Sequence, residues 1–199
     1  GLNHAGTPSS PAGYGDWSDP MGSGRTSSIA WHINAPHKYK LGDWLDTEWF
    51  SQDEVNLVMQ TGVYTVYSSS INPAEPPGVR LLKIYAPNNN QFYYLSKRSP
   101  DGFDNYMWQN LPCSGYNCDG LFLHTAAGSS TNDPPSTTVL IDVLDDQETF
   151  SDNDDGISFT LLSHDDNSAT VQINVPEIPD EHNLVFVTSE KFSGNLGGL

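Results

Sequence analysis

Positive charge is scarce in this sequence. Eight Lys and Arg residues stand against 25 Asp and Glu residues, which gives the 199-residue chain a formal net charge of −17. This balance repels phosphate backbones and anionic lipid head groups, so the sequence excludes nucleic acid as a natural partner. Cations are the natural counterpart of so many carboxylates, either bound at specific sites or held as a diffuse cloud.

Long apolar runs are also absent. None approaches the roughly 18 to 20 residues needed to cross a bilayer, which predicts that the chain has no transmembrane helix. The first ten residues, GLNHAGTPSS, lack the basic start and apolar stretch of a signal peptide, and they do not begin with Met. We therefore expect the sequence to be an internal piece of a longer protein.

Only two cysteines are present, Cys113 and Cys118, and four residues separate them. We favour a disulfide between them, because closing so short a ring stabilises a fold by roughly 2 kcal/mol in the chain-entropy model. Disulfides persist outside the cytosol, so this interpretation predicts a secreted protein. The alternative is a two-cysteine zinc site, which has no second ligand pair nearby although closed zinc sites have four ligands.

From about residue 55 onward the sequence consists of short β-rich runs separated by Pro, Gly and Asn. Many short strands broken by turn-forming residues indicate a mainly β fold, with an antiparallel sandwich or jelly roll. Seven strands are predicted: Val63–Tyr67, Arg80–Tyr85, Gln91–Leu95, Leu121–Thr125, Val139–Val143, Ile157–Leu162 and Ala169–Val175.

The first 45 residues have a different character. Residues 1–30 are rich in Gly, Ser, Pro and Asp, which predicts a long loop. Asn34 then provides a capping side chain before Pro36 in a first helical turn, and Gly42 is a helix stop signal. A short helix is therefore predicted over residues 35–41.

The opening sequence GLNH resembles the end of the extended zinc-peptidase motif H-E-x-x-H-x-x-G-x-x-H, with Gly1 at the glycine and His4 at the third histidine. Residues 14–22, YGDWSDPMG, resemble the Met-turn of the same clan, in which Met21 would lie beneath the metal without binding it. Residues 35–42, APHKYKLG, are similar to a helix that closes the catalytic domain. On these motifs the chain resembles the secreted metzincin zinc peptidases related to gametolysin.

The resemblance continues into the β-rich region that follows the catalytic domain in those peptidases, to about residue 176. One departure is Asp43, which separates Gly42 from Trp44 where such sequences tend to read Gly-Trp directly. The matching segments are QFYYL at residues 91–95 with Arg98, and residues 120–125, 150–152 and 156–162.

Three parts follow from the resemblance. Residues 1–46 correspond to the C-terminal part of a metzincin α/β catalytic domain, with the Met-turn loop and one short helix. Residues 47–176 correspond to a β-sandwich accessory domain. Residues 177–199 correspond to a linker and the start of a further extracellular module, similar to those of bacterial surface proteins.

The resemblance implies a secreted, zinc-dependent metalloendopeptidase, located on a bacterial cell surface. In that family, zinc activates a water molecule and the motif glutamate handles the proton. That glutamate and the first two histidines would lie upstream of Gly1, so we expect the chain alone to be inactive. The implied partner is a protein or peptide substrate, such as extracellular matrix or a cell-wall glycoprotein.

Two further metal sites are considered from the residues themselves. An acidic cluster, Asp145, Asp146, Asp152 and Asp154, offers the hard oxygen ligands that suit calcium, although its spacing is not that of an EF-hand loop. Solvated turns are the alternative. A second metal site could use the four residues around the helix start, for which ordinary capping and packing are the alternative: Asp16, Asp19, His32 and His37.

A non-catalytic role is the main alternative function. The β-region could be an extracellular binding module in which exposed aromatic side chains recognise a glycan or a protein. Tyr14, in the loop after His4, is a candidate for contact with a bound substrate, whereas His124 is predicted to be structural within a strand. The aromatic candidates of the binding module are Tyr93, Tyr106, Trp108 and Tyr116.

Overall fold

The computed structural model describes residues 2–23, 32–45, 54–70, 78–101, 104–105, 118–126 and 135–177. These parts of the chain are mainly β, with one helix, α1 (Ala35–Leu45). The strands are β1 (Ala5–Gly6), β2 (Val55–Leu57), β3 (Gly62–Tyr67), β4 (Leu81–Ala86), β5 (Gln91–Lys97), β6 (Leu121–Ala126), β7 (Thr138–Leu144), β8 (Thr149–Asp152), β9 (Ile157–His164) and β10 (Ser168–Asn174).

The strands form two sheets, one in the order β1-β7-β6-β5-β4-β2 and the other in the order β3-β10-β9-β8. All neighbours in the four-stranded sheet are antiparallel. In the six-stranded sheet, β1 runs parallel to β7 and β2 runs parallel to β4. The antiparallel sandwich predicted for residues 47–176 is therefore wrong at β2, and β1 of the N-terminal region adds a second parallel edge. Both edge strands reach their partners through long connections and not through hairpins.

The two sheets pack face to face through one hydrophobic core. The four-stranded sheet covers the core with one face only, since β9 and β10 alternate between buried and more exposed residues. This alternation is typical of an antiparallel sheet with one solvated face. The six-stranded sheet contributes Leu82, Ile84, Leu95, Leu121, Leu123 and Leu144, and the four-stranded sheet contributes Val66, Phe159, Leu161, Val171 and Ile173.

The opposite face of the six-stranded sheet is also covered. Helix α1 packs there through Ala35 and Tyr39, against Phe92 and Tyr94 of β5. The loop before the helix packs through Trp17 against β6 and β7. The central strands β4, β5 and β6 are consequently buried on both faces, which explains why their sequences read as nearly continuous apolar runs.

All seven predicted strands are present, with bounds that agree within two residues. The sequence did not predict β1, β2 or β8, which are only two to four residues long. The helix begins as predicted, because the Asn34 side chain accepts a hydrogen bond from the His37 amide at 2.9 Å. It continues to Leu45, however, since a glycine inside a helix costs only about 1 kcal/mol and does not by itself end it.

The N-terminal residues are joined to the sheet by several contacts. The Thr138 amide donates to the His4 carbonyl at 3.2 Å, and the Asn34 side chain donates to the Thr138 hydroxyl at 2.8 Å. The boundaries after residues 46 and 176 stay predictions, and residues 178–199 lie outside the described parts. Within those parts, no helix is long and apolar enough to cross a membrane.

Candidate metal-ligand site in the N-terminal loop

His4 lies immediately before β1, and its ring is held in a defined orientation. Its Nδ1 atom lies 2.7 Å from the carbonyl oxygen of Ala12, which can only accept, so Nδ1 carries a proton and donates it to this oxygen. The ring contacts Tyr14, with centroids 4.0 Å apart, and the Tyr14 side chain is 59% exposed. Among the described residues, no group bonds to Nε2, so this nitrogen is free to bind a metal.

This arrangement is typical of a metal-binding histidine, whose second nitrogen usually donates to a carboxylate or a backbone carbonyl. The donated hydrogen bond fixes both the tautomer and the direction of the ring. His4 therefore fits the chemistry of a zinc ligand. One imidazole cannot hold zinc alone, and within the described ranges no three metal-binding side chains lie together in a suitable group.

The turn that contains Met21 lies directly beside the residue after His4. The Ala5 amide donates to the Met21 carbonyl at 3.1 Å, and the Asp16 amide donates to the Ala5 carbonyl at 3.1 Å. Gly22 is required at this close approach, because a Cβ atom there would clash with the carbonyl oxygens of Asp16 and Ala5. The structure thus brings the predicted Met-turn next to His4.

The fully buried carboxylates of Asp16 and Asp19 stabilise the turn around Met21. Asp19 accepts from the Met21 amide at 2.6 Å and from the Asn34 amide at 2.7 Å, so it ties the turn to the start of α1. Asp19 also contacts Nδ1 of His37 at 2.9 Å, while Nε2 of His37 faces the Ser136 carbonyl at 3.2 Å. Both nitrogens of His37 are thus engaged with protein acceptors.

Asp16 is the second buried carboxylate. It accepts from the Ser18 amide at 2.8 Å and the Ser18 hydroxyl at 2.6 Å, and it contacts Nε2 of His124 at 3.2 Å. Burial alone would raise the pKa of Asp16, but the hydrogen bond and charge of His124 and the bonds from Ser18 outweigh it and lower the pKa. His124 therefore has a structural contact in this loop, and its Nδ1 atom is buried without a hydrogen-bond partner in the described structure.

The residues considered for a second metal site all have other partners. Asp19 contacts His37 directly, and Asp16 contacts Ser18 and His124. The backbone amide of His32 donates to Asp104 at 2.9 Å. Burial, followed by the nearby Lys38 charge, lowers the pKa of His32 to about 4. These contacts account for the side chains of Asp16, Asp19 and His37 as capping and packing groups, and a second metal site stays a prediction.

A buried ionic network next to this loop was not predicted from the sequence. Arg98 follows β5, is only 2% exposed, and donates to both carboxylate oxygens of Asp104 and to the carbonyl oxygens of Ser18 and His32. Lys38 of α1 is also buried and donates to the Ser69 carbonyl at 2.6 Å. Asp104 is six residues from Arg98, but the other partners lie 31 or more residues apart along the chain, so no local motif marks these contacts.

The four aspartates of the predicted calcium site fall into two different turns. Asp145 and Asp146 lie between β7 and β8, and Asp146 contacts Nδ1 of His164 at 2.8 Å. Asp152 ends β8, and Asp154 lies in the turn that follows. The structure therefore places the two pairs at opposite ends of β8, and calcium binding stays a prediction for either turn.

Asp152 acts mainly as an acceptor within its own turn. Its Oδ1 accepts from the amides of Asp154 and Asp155 at 3.1 and 3.2 Å, and its Oδ2 accepts from the Tyr93 hydroxyl at 2.8 Å. Burial acts to raise the pKa of Asp152, but these hydrogen bonds lower it. The same Tyr93 side chain is only 6% exposed, so the prediction that it is an exposed recognition residue is wrong. Strand β5 is covered on both faces, which is why this ring is buried.

Several predicted residues lie outside the described parts of the chain, namely Tyr106, Trp108, Tyr116 and Cys113. Cys118 is described, is 3% exposed and is disulfide-bonded. Comparisons of the chain with protein-family models, with curated proteins and with solved structures found no significant match.

Proposed function

We propose that His4 is the third zinc ligand of a secreted metzincin-type metalloendopeptidase, whose H-E-x-x-H segment precedes Gly1 in the parent protein. The observation that carries this proposal is the oriented His4 ring, with Nδ1 bonded to Ala12 and Nε2 free among the described residues. The hydrogen bond from the Ala5 amide to the Met21 carbonyl, which joins the turn around Met21 to the residue after His4, supports it.

The residues of this chain would hold and orient the metal site. The Ala12 carbonyl keeps the His4 ring in the tautomer that presents Nε2. The turn around Met21 supports the backbone of Ala5, and Asp19 stabilises that turn by joining it to α1. Zinc, when bound, lowers the pKa of a water molecule and polarises the scissile carbonyl, while the upstream glutamate takes the proton.

Secretion and a protein substrate belong to the same proposal. The disulfide at Cys118 supports an oxidising compartment such as the outside of a bacterial cell. The strongly acidic composition supports an extracellular role without nucleic acid. A protein of the extracellular matrix or a cell-wall glycoprotein is the class of substrate that we propose, with Tyr14 exposed beside His4 where a substrate could contact it.

The test restores the coding sequence immediately upstream of Gly1 and compares three proteins: the extended wild type, His4→Ala, and His164→Ala as a control. His164 is partly exposed and contacts Asp146, away from the N-terminal loop. We expect the wild type and the control to contain stoichiometric zinc and to show chelator-sensitive proteolysis. Both properties should be lost in His4→Ala, because removing one of three protein ligands opens the site.

A folded His4→Ala protein that keeps its zinc would show that His4 is not a ligand. An upstream sequence without H-E-x-x-H would remove the peptidase proposal altogether. The chain of 199 residues alone should have no peptidase activity, and turnover that survives repurification and depends on His4 would contradict the proposed ligand set.

A further inference from the structure

Strand β3 forms one edge of the four-stranded sheet, and its outer side has no partner strand among the described residues. The Tyr67 amide donates to the Val79 carbonyl at 2.8 Å and therefore points away from β10. Backbone groups alternate in direction along a strand, so the amide and carbonyl groups of Val63 and Thr65 point the same way. In the described parts of the chain, no group bonds to them on that side.

The sequence of β3 lacks the features that usually protect an edge strand. Proteins prevent pairing at such edges with charged side chains, with proline or with very short strands. The other edge of the same sheet, β8, carries Asp152 and follows Glu148, and the edge strands β1 and β2 are only two and three residues long. The sequence of β3, GVYTVY, is six residues long and has neither charge nor proline. Among the described strands, β3 is therefore the edge most open to pairing.

The outward face of β3 exposes apolar side chains. Val63 is 57% exposed and Tyr67 is 37% exposed, and Thr65 lies exposed between them on the same face. Two copies of a chain with a net charge of −17 repel each other, and they approach with least repulsion where neither presents a charge. A charged partner would meet no opposite charge on β3. These features favour a second copy of this chain as the partner of the edge.

The strand is also complementary to itself in an antiparallel arrangement. With a two-fold axis at Tyr64, Val63 of each copy lies opposite Thr65 of the other, and each of these two pairs exchanges both N–H···O bonds. On the outward face, Tyr67 of each copy then lies diagonal to Val63 of the other, within reach of an aromatic ring. The pairing ends at Val66, because the Val79 carbonyl already accepts from the next amide along the strand.

We propose that two copies of this chain associate through antiparallel pairing of their β3 strands, which joins their four-stranded sheets into one continuous sheet. The contact covers about five residues of each strand, so it is smaller than the roughly 800 Å² per partner of a standard interface. Association is therefore weak and reversible, with a dissociation constant on the order of 100 μM. The contact uses no residue of the His4 site, which lies beside β1 in the other sheet.

The first test measures the oligomeric state of the 199-residue chain by analytical ultracentrifugation, from about 10 μM to about 1 mM protein, a range that brackets the expected dissociation constant. Sodium chloride at about 1 M shortens the range of the repulsion between copies to about 3 Å. We expect a reversible equilibrium between monomer and dimer.

Thr65→Pro is the variant that tests the edge. Proline removes an amide hydrogen that no described residue of the same chain uses, so the fold should be retained while association weakens at least about tenfold. Ser151→Pro is the matched control on the opposite edge. The Leu161 amide donates to the Glu148 carbonyl at 3.1 Å, so the Ser151 amide, three residues after Glu148, points away from β9. This variant should associate like the wild type, and circular dichroism should confirm that both variants are folded.

Amide hydrogen exchange tests the same edge in the wild type without any substitution. The Val63 and Thr65 amides should exchange about fivefold more slowly at about 1 mM than in the monomer, because about four-fifths of the chains are then paired. The amides of Val66 and Tyr64, which face β10, should be protected at every concentration.

Three results would overturn the proposal. The first is a chain that stays monomeric over the whole concentration range. The second is a folded Thr65→Pro protein that associates like the wild type, which would place the contact elsewhere. The third is slow exchange of the Val63 and Thr65 amides at the lowest concentration, which would show that a segment of the same chain, such as residues 178–199, occupies the edge. None of these results bears on His4, so the two proposals can fail separately.

Discussion

Lys38 is a buried cation at the end of the first turn of α1, and among the described residues its ammonium donates to the Ser69 carbonyl at 2.6 Å. Burial lowers the pKa of Lys38 to about 7, and the positive charges of Arg98 and Arg80 act in the same direction against the attraction of Asp104. The ordinary lysine pKa is about 10.4, so folded and unfolded chains bind different numbers of protons between these two values.

The stability of the protein should therefore depend on Lys38 in alkaline solution. Between about pH 7 and 10.5 the unfolded chain keeps the Lys38 proton while the folded chain has lost it, so the free energy of unfolding should rise with pH in this window. Below about pH 7 Lys38 is protonated in both the folded and the unfolded chain, so its contribution to the free energy of unfolding does not change with pH. Urea unfolding at several pH values should show that Lys38→Met loses this rise and that Lys40→Met, a partly exposed neighbour, keeps it. Parallel profiles for Lys38→Met and the wild type would contradict the prediction.

The sequence predicted those residues of the site that have a local signature. Asn34 was recognisable as a helix cap because the cap bonds an amide only three residues later. The contacts of Arg98 with the carbonyl oxygens of Ser18 and His32 were not recognisable, because they depend on how distant segments meet in the folded chain. Tyr93 was misjudged for the same reason, since its burial depends on β8 and β9 and not on its own strand.

At the scale of whole elements, hydrophobic pattern decided what could be predicted. The seven strands with a clear apolar run or alternation were all found, whereas β1 and β2 are too short to show a period. Their parallel pairing depends on long connections, which no local pattern encodes. The length of α1 was underestimated because Gly42 signals a possible end and does not enforce one.

Arg98 joins three elements that the sheet alone would not hold together. Its guanidinium bonds to Asp104, to the loop at Ser18 and to the segment before α1 at His32. Arg98→Met should lower the free energy of unfolding by about 3–5 kcal/mol, because Asp104 would stay buried as an unpaired charge. Urea unfolding should show a smaller loss of stability for the double variant Arg98→Met/Asp104→Asn, because this variant also removes the buried negative charge of Asp104.

Arg98→Lys is the matched control for this prediction. A lysine keeps the positive charge but cannot reproduce the several directed bonds of a guanidinium. The free energy of unfolding of Arg98→Lys should therefore lie between that of the wild type and that of Arg98→Met. Equal stability for the single and double variants would show that the buried charge of Asp104 does not determine the cost.

The surface formed by the described residues carries mainly negative charge. Among the described residues, Lys38, Arg80, Lys83, Lys97 and Arg98 are all buried, and Lys40 is only partly exposed. Most fixed positive charge thus serves internal contacts, while many carboxylates of the turns face solvent. Repulsion among these carboxylates opposes folding, since the compact state brings them closer together than the unfolded chain does.

Dissolved cations should consequently stabilise the fold. Salt shortens the range of the repulsion from about 30 Å at 0.01 M to about 3 Å at 1 M, so the melting temperature should rise by several degrees across this range. Calorimetry in sodium chloride and in choline chloride at equal ionic strength separates the causes. Similar rises would mean that a diffuse ion cloud suffices, whereas a rise confined to sodium would indicate specific binding. A melting temperature that falls or does not change in both salts would mean that the surface carboxylates do not limit stability, and that the buried pairs, which salt screens much less, control it.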